Sequence, residues 1–239
     1  MRNIAIIFAG GTGQRMNSRT KPKQFLELHG KPILVYTLEA FQKCDLIHGI
    51  ILVMLNEWIP YSEELIEKYR LTKVVSVVPG GATGQESIYH GIEKAKEHYK
   101  DNPCVLIHDG VRPIIDTDTI EKCIDTVYKY GNAITVAPAI ETVALTGTEE
   151  SVGEILPRQK CLMVKAPQCF LLNDIYNCHI LAQKEKRDDF IDSASLMQFY
   201  GYKLHTIEGR TDNIKITTPS DFYIFRAIVD AQENLQIFG

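Results

Sequence analysis

The stretch Ile4-Ala5-Ile6-Ile7-Phe8-Ala9-Gly10-Gly11-Thr12-Gly13-Gln14-Arg15-Met16 joins an unbroken apolar run to a loop with three glycines in four positions. Six consecutive apolar residues without alternation predict a strand buried on both faces, the kind found inside parallel sheets. An export signal is the other reading of an apolar N-terminal run. This one is too short, and it passes straight into glycines and then basic and polar residues. The glycines let the backbone approach an anion closely, so that N–H groups rather than side chains contact it. The loop is not a Walker motif, because no Gly-Lys-Ser/Thr follows. It is not the dinucleotide fingerprint either, because its third glycine falls too early.

Downstream, Arg15, Arg19, Lys21 and Lys23 crowd the same loop, which continues as Pro22-Lys23-Gln24-Phe25-Leu26. Cationic side chains beside a backbone anion nest suit a polyphosphate whose charge shifts during transfer. A merely solvated basic loop would not need the glycines.

The same alternation runs on through the chain. Gly49–Leu55, Val74–Val78, Cys104–His108 and Ala133–Ala137 read as buried strands. Between them Ile33–Lys43, Glu57–Tyr69, Gln85–Tyr99 and Thr117–Tyr130 have helical spacing; Ile120, Ile124 and Val127 share one face of the last, with Asp116 or Thr117 as its N-cap. This order predicts an α/β fold of Rossmann type, a mostly parallel sheet with helices on both faces and ligands at the carboxyl ends of the strands. Residues 139–170 break the rhythm with short segments rich in Thr, Val, Gly and Pro, either a projecting hairpin or a long ordered loop. Helices near Leu172–Lys184 and Ser193–Tyr200, a strand Lys203–Glu208 and a last helix Ser220–Gln232, capped by Ser220, are expected beyond it. The 239 residues are read as a single domain.

Composition excludes several classes. The net charge of −4 and pI near 6.0 provide no global field for nucleic acid or anionic lipid, so phosphate binding must be local. No apolar run approaches the roughly 18–20 residues of a membrane span. The six cysteines are scattered without a C-x-x-C pair and read as reduced thiols, which makes the cytoplasm the expected location.

A second motif, His108-Asp109-Gly110-Val111-Arg112-Pro113, closes another strand. Asp109 is placed to hold Mg2+ or to accept bonds from sugar hydroxyls, and Arg112 to pair with it or to grip a phosphate; a structural ion pair is the alternative. His108 reads as a hydrogen-bonded residue near the core. Near the C-terminus, Asn213-Ile214-Lys215-Ile216-Thr217-Thr218-Pro219 leads into the last helix, and Lys215 alone reads equally well as a surface residue.

Together with Gly80-Gly81, Ser87, Ala166-Pro167-Gln168-Cys169-Phe170 and Glu208-Gly209-Arg210, these motifs occur in an order that resembles the cytidylyltransferases acting on methylerythritol 4-phosphate or ribitol 5-phosphate, from residue 4 to about 229. The resemblance implies that CTP lies across the glycine loop while an alditol phosphate attacks its α-phosphorus. By motif, Ala9, Gly10, Gly11, Thr12 and Gly13 with Arg15 would bind the triphosphate, and Arg15 and Lys23 would stabilise the transition state. Gly81 and Ser87 would meet cytosine or ribose, Asp109 would meet hydroxyls with support from Arg112, and Lys215 would hold the acceptor phosphate. Thr142 and Arg158 match positions on an arm inserted into a partner's site, which implies a homodimer with arm exchange. Mg2+ would bridge phosphate oxygens.

Two departures stand out: Gly84 where many relatives carry Arg, and Ile191 where Thr is frequent. A loop from Met16 to Pro22 one residue longer than is usual in the methylerythritol branch, Ala9-Gly10-Gly11, Glu57-Trp58 and Val111 resemble the ribitol branch. Asp192–Leu196 and Glu208–Asn213 resemble the methylerythritol branch. Ribitol 5-phosphate is the favoured acceptor, with methylerythritol 4-phosphate the alternative. A nucleotide-binding module without catalysis would have no need of Arg15, Lys23, Asp109, Arg158 and Lys215 together. A transferase for another sugar phosphate would not need the Lys215 motif.

Overall fold

The computed structural model describes residues 2–11 and 21–238. In chain order the elements are β1 (Asn3–Ala9), a small hairpin of β2 (Glu27–Leu28) and β3 (Lys31–Pro32), α1 (Ile33–Lys43), β4 (Gly49–Met54), α2 (Ile59–Lys68), β5 (Val74–Pro79), α3 (Gly84–His98) and β6 (Cys104–Asp109). There follow α4 (Thr117–Tyr130), β7 (Asn132–Pro138), β8 (Val143–Thr146), β9 (Val152–Leu156), β10 (Leu162–Leu171), α5 (Leu172–Lys184), α6 (Ser193–Phe199), β11 (Thr206–Glu208) and α7 (Pro219–Phe238).

Seven strands form one sheet in the order β11-β7-β10-β6-β1-β4-β5, all parallel except β10, which runs against both neighbours. β1 sits inside this sheet, so its side chains face two cores. Ala5, Ile7 and Ala9 pack with Leu38 and Phe41 of α1 and Ile124 and Val127 of α4. Ile4 and Ile6 pack with Ile88 and Ile92 of α3 and Ile175 of α5. That double coverage is why the run is apolar without alternation. Each large aliphatic side chain so buried contributes about 1.5–3 kcal/mol.

The expected strands and helices are present, with shifted ends. Lys203–Glu208 shortens to Thr206–Glu208, and Glu57–Tyr69 divides into a 3-10 turn at Asn56–Trp58 followed by α2. The last helix starts one residue earlier than expected, and Ser220 is not its cap. Thr218 takes that place: its hydroxyl accepts from the Asp221 N–H at 3.4 Å, and the Asp221 carboxylate accepts from the Thr218 N–H at 2.7 Å.

The irregular segment resolves into two parts. β8 and β9 form an antiparallel hairpin, with Leu145, Val152 and Ile155 exposed. The end of the segment is not an excursion, because Gln168–Phe170 of β10 lie buried between β6 and β7. Pro167 has no N–H for the ladder, and the β10–β7 register shifts between Val164 and Gln168.

Asp116 proves to be the N-cap of α4, accepting from the Thr119 N–H at 2.8 Å, while Gly131 closes the helix at φ 86°. Asp116→Ala is expected to cost about 1 kcal/mol, or roughly 2–4 °C in Tm. An unshifted thermal melt would remove the cap from the account of α4.

Candidate active site

Asp109 ends β6, beside the end of β1, at the carboxyl edge of the parallel strands. Its Oδ2 accepts from Arg112 Nε at 2.8 Å, and its Oδ1 lies 2.6 Å from Lys215 Nζ. Burial would push this carboxyl upward, but Lys215 and then Arg112 outweigh it and hold the group below the ordinary carboxylate range. Arg112 also donates to the Asn213 carbonyl at 3.0 Å, tying the turn after β6 to the segment before α7. That segment is anchored by Ile216, fully buried, whose N–H bonds the Val111 carbonyl at 2.9 Å. Packing of α7 through Phe225 against Ile33 and Leu28 thus brings Lys215 to Asp109 across more than 100 residues of chain.

His108 is fully buried, and its Nε2 lies 3.1 Å from the Arg112 carbonyl. Burial lowers its pKa to about 4, so the ring is neutral and Nε2–H donates. It braces the Asp109–Arg112 turn from below, in agreement with the near-core reading.

Two cavities share this carboxylate. One, of about 350 Å³, is lined by Ala9, Gly10 and Gly11 after β1, by Lys23, by Gly81 and Ser87, and by Asp109 and Lys215. Seven of the expected nucleotide and phosphate residues and Lys23 therefore converge. Thr12, Gly13 and Arg15 lie outside the described residues. Ser87 holds the turn before α3: its Oγ accepts from the Gly81 N–H at 3.0 Å and donates to the Thr83 carbonyl at 2.8 Å. Gly81 has no alternative here, since a Cβ would stand 2.2 Å from Glu86 Cγ.

The second cavity, of about 230 Å³, adjoins the first through Phe8, Gly84, Asp109 and Lys215 and extends past Arg112 and Lys165 to α5 and α6. Both departures from the family pattern border it. Gly84 is the first residue of α3, where an added Cβ would meet nothing within 4 Å, and Ile191 is 93% exposed. The space that a larger residue at 84 would occupy is left to the cavity.

Three lining residues carried no assigned role in the sequence. Lys165 donates to the carbonyls of Thr211 at 2.8 Å and Asn213 at 3.3 Å; burial, then Arg112, lowers its proton affinity. Gln168 donates to Asp192 Oδ2 and accepts from the Ala194 N–H, both at 2.8 Å, and so fixes the start of α6. Gln24 donates to the Ala9 carbonyl at 2.6 Å, fastening the Lys23 segment to the end of β1. The two glutamines stood inside motifs, but nothing local marked their partners. Thr142 and Arg158 are exposed at the base of the β8–β9 hairpin and line neither cavity.

The chain as a whole has known counterparts. Residues 3–231 match the family described as IspD, 2-C-methyl-D-erythritol 4-phosphate cytidylyltransferase. A ribitol-5-phosphate cytidylyltransferase of Vibrio parahaemolyticus is 48% identical over 237 residues, covering 99% of this chain and 100% of that one. A 2-C-methyl-D-erythritol 4-phosphate cytidylyltransferase of Clostridium novyi is 38% identical over 230 residues, 96% of this chain and 97% of that one. Among solved structures, 4-diphosphocytidyl-2C-methyl-D-erythritol synthase from Anaerococcus prevotii superposes with a TM-score of 0.81 at 27% identity, covering 96% of each chain. With the family match spanning nearly its whole length, the chain belongs to the IspD family of cytidylyltransferases, a class of nucleotidyltransferase.

Proposed function

We propose that the protein transfers the cytidylyl group of CTP to D-ribitol 5-phosphate, giving CDP-ribitol and pyrophosphate. The observation that carries this reading is the junction of the two cavities at Asp109 and Lys215. The larger, with the glycine segment, Lys23, Gly81 and Ser87, takes the nucleotide. The smaller takes the alditol phosphate. Its phosphate oxygen attacks the α-phosphorus in line, a P–O bond forms, and the bond to the bridging oxygen breaks, so that pyrophosphate leaves with the electron pair. No strong base is needed, because a phosphate monoester is already largely a dianion at neutral pH.

Lys23, with Arg15 assigned from the sequence, offsets the charge that grows on the triphosphate. Asp109, held ionised by Lys215 and Arg112, accepts bonds from acceptor hydroxyls. Lys215 is 41% exposed where Asp109 is 8%, which leaves its ammonium open to the acceptor phosphate. Both oxygens of Asp109 are engaged by cations, a poor fit for a metal ligand; Mg2+ would instead arrive with the phosphates of CTP and offset their charge. The exposed β8–β9 hairpin reaches the cavity of a second copy and delivers Thr142 and Arg158, making a homodimer with exchanged arms; its exposed Leu145, Val152 and Ile155 are the kind of surface a partner covers. Six free thiols fit a reducing cytoplasm, and among the described residues no helix is long and apolar enough to cross a membrane.

Ribitol 5-phosphate is preferred over methylerythritol 4-phosphate because the relative named for the first is 48% identical and that named for the second 38%. Pyrophosphate release from Mg–CTP is expected with ribitol 5-phosphate, with kcat/KM at least about 10-fold above that for methylerythritol 4-phosphate. The reverse preference would overturn the acceptor assignment, and no turnover with either would overturn the function.

A further inference from the structure

The smaller cavity is polarised. Its border with the nucleotide cavity carries Asp109 and Lys215. At its other border, against the groove beside α3 and α5, stands His179, with Ser193 at the start of α6 in the same wall. The remaining polar side chains of that wall are satisfied. Gln85 donates to the Arg187 carbonyl at 3.0 Å and accepts from the Phe190 N–H at 3.3 Å, and Gln168 spans Asp192 and Ala194. His179 Nε2 and Ser193 Oγ have no hydrogen-bond partner among the described residues, although the residues are only 2% and 3% exposed.

A buried polar atom left unpaired costs free energy, so native structures rarely keep one without a use. Here the two residues that carry such atoms, His179 and Ser193, line one cavity. Burial lowers the His179 pKa to about 4, so its ring is neutral. Neither group suits an anion as a charged partner would; both suit a hydroxyl, which donates and accepts.

We propose that the end of the acceptor cavity bordered by His179 and Ser193 is a recognition subsite for the hydroxylated tail of the alditol. It rests on the alditol phosphate reading given above and supplies its selectivity. An acceptor with its phosphate at the Asp109–Lys215 border and a hydroxyl on its far carbon satisfies both ends. One whose chain stops short, or ends in a methyl group, leaves the two atoms unpaired, and sites of this kind reject such analogues strongly.

The test compares ribitol 5-phosphate with 1-deoxyribitol 5-phosphate, in the wild-type protein and in His179→Leu, Ser193→Ala and the double variant. The wild type is expected to favour the hydroxylated acceptor by on the order of 30-fold in kcat/KM. In the double variant the ratio falls to about 3 or below, through a raised KM for ribitol 5-phosphate, while the KM for CTP holds. His179→Gln keeps an amide donor and is expected to recover part of the ratio. Thermal melts separate recognition from structure: deleting unpaired polar atoms leaves Tm unchanged or raises it, whereas a structural role for these atoms predicts a lower Tm. Failure of the wild type to use ribitol 5-phosphate would sink the acceptor assignment. Wild-type turnover with the same discrimination ratio in all variants would overturn the tail subsite alone and leave its two atoms to buried water.

Discussion

Replacing Lys23 with alanine is expected to lower kcat by about 1,000-fold while raising the KM for CTP by less than about 5-fold. The local fold gives the reason. Lys23 begins a 3-10 turn that continues through Gln24 and Phe25. Phe25 is 1% exposed and clasped by Trp58 and Tyr61, each with ring centroids 5.0 Å away, and Gln24 is fastened to the Ala9 carbonyl. The backbone that carries Lys23 is thereby held against the end of β1, and the side chain lines the cavity that Gly10 and Gly11 line. A cation fixed there gains most when charge accumulates on the triphosphate during transfer, and much less in the ground state. Lys23→Arg keeps the charge and is expected to recover part of the rate. Steady-state pyrophosphate release, with CTP binding measured by calorimetry, separates the two quantities. Weaker CTP affinity with an unchanged kcat would place Lys23 in ground-state binding, and an unchanged kcat with unchanged affinity would remove its role.

The parts of this architecture that were legible in the sequence are those written in local periodicity. β1 and β4 carry unbroken apolar runs, and β6 and β7 runs broken only by buried polar residues such as His108 and Thr135, because each strand is covered on both faces, and α4 shows its stripe at Ile120, Ile124 and Val127. β10 was hidden because Lys165, Pro167 and Gln168 interrupt its apolar content; only its pairing with β6 and β7, residues far away in sequence, makes it a central strand. The last helix was misplaced by two residues at its cap because Ser220 and Thr218 flank the same proline, and the reciprocal bonds of Thr218 and Asp221 decide between them.

The site divides along the same line. The glycine segment and His108–Pro113 are short motifs whose chemistry is read where it stands. Lys165 and Asp192 reach the cavity only through tertiary packing. His179 follows Ile175 by four residues on α5, so in sequence it is one more position on the buried face of a helix. Its unpaired nitrogen becomes visible only when the cavity beside it is drawn.

The arm offers the sharper test of assembly. Arg158→Ala is expected to lower turnover by about 1,000-fold, although Arg158 lines neither cavity of its own chain. Its side chain is exposed and donates to the Ile140 carbonyl at 3.2 Å, so truncation is expected to change stability by no more than about 0.5 kcal/mol. A large loss of rate without a loss of stability requires that Arg158 act on a site elsewhere, and the proposed exchange of arms would bring it to the partner's cavity. Complementation then has a definite outcome. Lys23→Ala and Arg158→Ala subunits, mixed in equal amounts and allowed to exchange, form heterodimers as about half of all dimers. In each heterodimer one site combines an intact Lys23 from one subunit with an intact Arg158 from the other, and the second site lacks both. Activity is expected to return to about one quarter of the wild-type value, from two preparations that are each nearly inactive. If Arg158 instead served its own chain, every site in the mixture would carry one defect and nothing would return; an inactive mixture of well-folded dimers therefore rejects the exchanged arm.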